Sequence, residues 1–157
     1  MKYLEFLHIA RKLNDRLQVT PLLFGSLGLE KRLNVSLNAD DIDVLIPERF
    51  IKEEWSKLMA LMEDEGYCLI DHEEHEFEKN DVHIAFADIE GLEPFAGVHI
   101  SDIPVITESG TRYYLLELEE YLKVYTASSK DGYRKDVKNK QDQAKIDLIE
   151  NTIKIGK

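Results

Sequence analysis

The sequence holds a single cysteine, so no disulfide framework can staple it. Cys68 sits in the apolar context Tyr67-Cys68-Leu69-Ile70 and reads as a small buried hydrophobe. No apolar run approaches the roughly 18 residues that a membrane-spanning helix needs. The first segment, MKYLEFLHIARKLNDRL, carries charges throughout and is amphipathic, unlike a signal peptide. Basic charge is also scarce: 20 Lys and Arg face 31 Asp and Glu, for a net charge of −11. Non-specific binding to DNA or RNA depends on Lys and Arg displacing condensed counterions, so this balance argues against it. A nucleotide site needs only a local patch and stays open. No repeat or low-complexity segment stands out. With 43% hydrophobic and 32% charged residues, the 157-residue chain suits one globular domain with or without a helical appendage, cytoplasmic by default.

What is present centres on LLFGSLGLEKRLNVSLNADDIDVLIP, Leu22 to Pro47. Leu22, Leu23 and Phe24 form a short apolar strand that stops at Gly25-Ser26, and a helix is expected over Leu27 to Leu33. After a loop, Asp41-Ile42-Asp43-Val44-Leu45-Ile46 reads as a buried strand closed by Pro47. Strand side chains alternate sides, so Asp41 and Asp43 point one way while Ile42, Val44 and Ile46 point the other. Two neighbouring carboxylates repel unless they are solvated or share a divalent cation. Oxygen donors suit a hard ion such as Mg²⁺, completed by phosphate oxygens and water. A helix that opens at Gly-Ser offers N–H groups and a hydroxyl to an anion. A phosphate cradle beside a metal-binding pair is what phosphoryl or nucleotidyl transfer requires. The same residues also fit an ordinary turn and two solvated strand-end acids.

A Gly-Ser strand end followed by an Asp-x-Asp strand with apolar alternates resembles the signature of the nucleotidyltransferase superfamily, which includes DNA polymerase beta and the small aminoglycoside and lincosamide nucleotidyltransferases. The resemblance implies that Gly25 and Ser26 bind phosphate. It also implies that Asp41 and Asp43 hold Mg²⁺ or Mn²⁺, and that a nucleoside triphosphate gives up its monophosphate to an acceptor hydroxyl. The acceptor stays unknown. A binding protein of the same fold that has lost catalysis is the alternative. The superfamily commonly places a third carboxylate on a later strand. In Val82 to Ile89, strict alternation puts Val82, Ile84 and Phe86 on a bulky core face and His83, Ala85 and Ala87 on the other. Asp88 reaches the cleft only through a bulge. Asp81 and Glu76 are further candidates, and His83 can serve as general base in place of the acid.

Elsewhere the periodicity predicts a helix over residues 2 to 17 with a stripe of Leu4, Leu7, Ala10, Leu13 and Leu17. A second helix is expected from Pro47 to Glu65, with Gly66 at its end. Tyr67 to Asp71 is a strand, and the His72-Glu73-Glu74-His75-Glu76 run a solvated turn. A hairpin joins Glu76–Glu78 to Val82–Ile89 through Lys79-Asn80-Asp81. Residues 91 to 101 read as loop, Pro104 to Leu116 as a hairpin, and 117 to 126 as a helix. The final helix begins in a stretch holding Arg134, Lys135, Lys138, Lys140 and Lys145. It resembles the basic approach to the last helix of small nucleotidyltransferases. That implies phosphate contacts from Arg134, Lys138 or Lys140, with Tyr133 near the base or acceptor. A charged helix face with Asp136 and Asp142 as local partners fits equally. The expected fold is α+β: a small mixed sheet with helices mainly on one side over residues 1–116, and a C-terminal helical segment over 117–157 packed on it.

Overall fold

The computed structural model describes residues 2–129 and 138–156, with the backbone alone at 138–141 and 156. Two compact units divide the chain, Met1–Glu90 with Pro104–Leu115, and Gly91–Ile103 with Leu116–Lys157. The first unit contains α1 (Lys2–Leu17), β1 (Leu22–Phe24), α2 (Gly25–Leu33), β2 (Ile42–Ile46), α3 (Trp55–Asp64), β3 (Cys68–Asp71), β4 (Glu76–Lys79), β5 (Val82–Asp88), β6 (Val105–Glu108) and β7 (Thr111–Leu115). Its strands form one seven-stranded sheet in the order β3-β4-β5-β2-β1-β7-β6. β2 with β5 and β1 with β7 are parallel, and the other neighbours are antiparallel, so the sheet is mixed as expected.

One face of this sheet is covered. Phe6, Ile9, Ala10 and Leu13 of α1 and Leu58, Leu61 and Met62 of α3 are buried in a single cluster with Leu23, Ile42, Val44, Ile46, Phe77, Ile84 and Phe86 from the strands. The α1 stripe is therefore turned from the predicted one, and Leu4 is exposed. Phe6 gives the reason. Its ring meets Tyr113 of β7 edge-on at 5.2 Å, and that contact centres the helix on Phe6 and Ile9.

The second helix is shorter than its sequence suggests. Pro47 stays extended, a 3-10 turn at Glu48–Phe50 follows, and α3 begins only at Trp55. Phe50 is buried, so this segment makes its own anchor instead of extending the helix. Cys68 is exposed, against expectation, because β3 is an edge strand.

The second unit holds α4 (Leu92–Ala96), α5 (Leu118–Ser129) and α6 (Lys138–Gly156). Residues 91–101 thus carry a short helix instead of a plain loop. Pro94 fits there because the first turn of a helix has no internal acceptors for its N–H groups. α5 packs along α6, burying Tyr121, Val124 and Tyr125 on one side and Ile146 and Ile149 on the other. Asp142 is buried in α6, so it is not part of a solvated charged face. Among the described residues, six helices and seven strands make the fold α+β, and no helix is long and apolar enough to cross a membrane.

Candidate functional site

Residues abreast on neighbouring strands point to the same face of a sheet. Here Asp43 of β2 lies beside Ala85 of β5 and Phe24 of β1, while Ile42 lies beside Ile84. Across β5, Glu76 and Glu78 of β4 lie beside Ala85 and His83. Ile42 and Ile84 belong to the helix-covered core. Asp43, His83, Glu76 and Glu78 therefore share the opposite face, and Asp41, just before β2, stands on their side by alternation.

The hairpin between β4 and β5 sets this register. Asn80 and Asp81 both have positive φ, 49° and 67°, the pattern of a tight two-residue turn matched to strand twist. Lys79 then pairs with Val82, which places Glu78 opposite His83 and Glu76 opposite Ala85.

Gly25 meets Asp43 at the other edge of this region. Gly25 has φ +64°, and a Cβ built on it would lie 2.3 Å from Asp43 Oδ2. Only glycine lets the carboxylate lie this close to the backbone where α2 starts. Phe24 supplies no side-chain cap to that helix, and the Asp43 carboxylate and the half-buried Ser26 both stand at its start.

A second grouping lies on the Asp41 side. One ligand atom each from Asp41, Glu76 and His83 fall within 4.8 Å of one another. His83 Nδ1 is 2.6 Å from Glu76 Oε2, and its Nε2 is 3.6 Å from Glu78 Oε2. Among the described residues, no Lys or Arg forms an ion pair with Asp41, Glu76 or Glu78. The hydrogen bond to Glu76, then the charges of Glu76, Asp41 and Glu78, hold the His83 proton more tightly than in a free imidazole. A raised folded-state value means that this contribution to stability is whole below the ordinary pKa of about 6.5 and is lost as pH rises through the folded value. An NMR titration should place the His83 midpoint above about 6.5. In Glu76→Gln the midpoint should fall back toward that value. An unchanged midpoint in the variant would show that Glu76 is not the cause.

The donors present fit a divalent cation. Carboxylate oxygens of Asp41 and Glu76 converge with an imidazole nitrogen of His83, and Gly25 leaves room for the Asp43 carboxylate on the same face.

Of the residues singled out in the sequence, the structure brings Gly25, Ser26, Asp41, Asp43 and His83 to this face. Asp88 is not among them. It pairs with Ile46, three residues along from the Asp43 row and about 10 Å away at strand spacing, and it alternates with the core-facing Phe86 and Ile84. No bulge between β2 and β5 redirects it, since their register runs unbroken from Ile42 to Ile46. Asp81 occupies the hairpin turn and is exposed. Tyr133 and Arg134 lie outside the described residues, as do the side chains of Lys138 and Lys140 at the start of α6. Glu76, a candidate acid of the sequence, does stand with Asp41 and His83, its donor within 4.8 Å of theirs. Counting pairs outward from the Asn80-Asp81 turn is the sequence signal that points to it.

A Bacillus subtilis protein, "Uncharacterized protein YnaI", is 43% identical to this chain over 152 residues, 97% of each. No protein-family model matches the chain. Among solved structures, ANT(2")-Ia in complex with adenylyl-2"-tobramycin superposes with a TM-score of 0.58 at 15% identity, covering 98% of this chain and 90% of that one. A solution structure of the antibiotic-resistance factor ANT(2'')-Ia superposes with a TM-score of 0.50 at 15% identity, covering 98% and 93%. The fold is that of these nucleotidyltransferase structures.

Proposed function

The chain belongs to the same family as Bacillus subtilis YnaI, and from the geometry of the acidic groups on one sheet face we propose that it is a metal-dependent nucleotidyltransferase. The observation that carries this reading is the meeting of two sequence-distant features. The Asp43 carboxylate, one of an Asp-x-Asp pair, lies against Gly25 at the start of α2. A triphosphate bound there would meet the Ser26 hydroxyl and the start of α2, with its metal ion held beside them by the Asp pair.

In the transfer, the acceptor hydroxyl oxygen forms a bond to the α-phosphorus as the α–β anhydride bond breaks. Pyrophosphate leaves, and the hydroxyl proton passes to solvent. A divalent ion, when bound, offsets charge on the phosphates and lowers the pKa of the attacking hydroxyl. Ser26 and the α2 N–H groups donate hydrogen bonds to phosphate oxygens. Asp41 and Asp43 supply anionic oxygens to the ion and fix its position against the sheet. The ANT(2")-Ia structure carries an adenylylated tobramycin by name, and this favours an adenylyl donor and a small hydroxylated acceptor here.

Thermal unfolding with each nucleoside triphosphate, with and without Mg²⁺ or Mn²⁺, tests the reading. Ligand at 100 times its Kd stabilises by about 2.7 kcal/mol, at roughly 2–4 °C per kcal/mol for a chain of this size. The shift should appear only with metal and nucleotide together. No shift with any triphosphate would overturn the proposal. A shift without pyrophosphate release over an acceptor screen would favour the non-catalytic binding protein.

A further inference from the structure

Asp41, Glu76 and His83 form a grouping that shares Asp41 with the Asp-x-Asp pair and leaves out Asp43. Their donors come from three places: the residue before β2, the start of β4, and β5. They converge within 4.8 Å. Asp43 is turned instead toward Gly25, so Asp41 stands between two sets of donors. The Asp43 set is all oxygen on the protein side. The other set contains an imidazole nitrogen.

That difference has a chemical consequence. Carboxylate and water suit Mg²⁺ and Mn²⁺ alike, whereas an added imidazole nitrogen favours a transition dication over Mg²⁺. Two donors about 2.1 Å from one ion stand at most about 4.2 Å apart, so the three side chains must close slightly from the observed spacing and the proton between His83 and Glu76 must leave when an ion binds. His83 and Glu76 are half-buried and joined by a hydrogen bond, so their mutual orientation is already set. Glu78, beside His83 on the same face, adds negative charge that favours a cation.

We propose that Asp41, Glu76 and His83 form a second cation site, sharing Asp41 with the Asp-x-Asp pair and having a nitrogen ligand, that takes a first-row transition dication such as Mn²⁺ in preference to Mg²⁺. Its use in catalysis rests on the nucleotidyltransferase reading; the binding itself does not. In this assignment His83 acts as a ligand, with Glu76, where other acids would complete an all-oxygen set.

Mn²⁺ titrated into the full chain without nucleotide, followed by the EPR signal of the free ion, tests the site. Wild type should bind Mn²⁺ at least tenfold more tightly than Mg²⁺, measured by competition. Pulsed EPR of the bound ion should show nitrogen modulation from an imidazole. His83→Ala should remove that modulation and weaken Mn²⁺ at least tenfold while leaving Mg²⁺ little changed, and Glu76→Gln should weaken Mn²⁺ with the modulation kept. Bound Mn²⁺ without nitrogen modulation in wild type overturns the site, and so does equal affinity for the two ions. The wild-type spectrum needs no variant to fold. If nitrogen is absent but the nucleotide-dependent thermal shift in Mg²⁺ persists, only this inference falls. If nitrogen is present and no triphosphate shifts the protein, only the nucleotidyltransferase reading falls.

Discussion

Asp43→Asn is expected to abolish the metal-dependent nucleotide stabilisation and to lower any nucleotidyl transfer by several orders of magnitude, while the sheet stays intact. The ladder around position 43 is made by backbone groups. It pairs with Phe24 on one side and Ala85 on the other, and asparagine keeps both pairings. The isosteric amide removes the charge that attracts a cation. It also removes the repulsion of Asp41, its neighbour on the same face. Urea unfolding without ligand should therefore change little, and the thermal shift with triphosphate and metal should vanish. Electrostatic stabilisation of a transferring phosphoryl group is the main contribution a protein makes to this chemistry, which is why the expected loss in rate is so large. A variant that keeps the full shift and full pyrophosphate release would remove Asp43 from the mechanism.

Gly25→Ala is expected to have the second-largest effect, through two separable causes. The first is backbone strain. A residue with a Cβ at φ +64° pays about 1–2 kcal/mol for the left-handed region. The second is collision, because the new methyl would sit 2.3 Å from Asp43 Oδ2. The carboxylate ends a short side chain and will swing aside sooner than the strand will move. The variant should then fold with a modest loss of stability and bind nucleotide with metal far more weakly. Gly110→Ala is the matched control. Gly110 has φ +80° and nothing within 4 Å of a built Cβ, so it carries the strain without the collision. Urea midpoints of the two variants should fall together, and only Gly25→Ala should lose the nucleotide shift. Equal nucleotide shifts in both would show that the contact with Asp43 has no role.

Much of this was legible in the residues because it is written locally. Alternation alone separates Asp41 and Asp43 from Ile42, Val44 and Ile46, and the structure keeps that division, with those three apolar residues in the core cluster and Asp43 half-buried on the other face. The run Leu22–Phe24 ending at Gly25 likewise marks the β1–α2 junction. Long-range pairing was less accessible. That Gly25 touches Asp43 depends on the antiparallel register of β1 and β2. That Glu76 joins His83 and Asp41 depends on two registers at once, one set by the Asn80-Asp81 turn and one by the parallel pairing of β2 with β5. Position in the sheet also escaped local reading. Cys68 sits in an apolar stretch, yet β3 is an edge strand, so burial does not follow from its neighbours. The Pro47–Glu65 helix was overextended because a periodic pattern does not distinguish a helix from a 3-10 turn anchored by one buried ring, that of Phe50.

The exposed position of Cys68 has a practical use. Cys68 pairs with Glu78, and Glu78 pairs with His83, so the thiol stands on the same row and face as the histidine, two strands away. At about 4.8 Å between strands, their backbones are roughly 10 Å apart. The chain has no second thiol to compete. A nitroxide or fluorophore attached there would sit close enough to feel a paramagnetic ion beside His83 without replacing any of the donors. The protein thus carries its own single-point reporter for the occupancy of the sheet face, available without engineering the sequence.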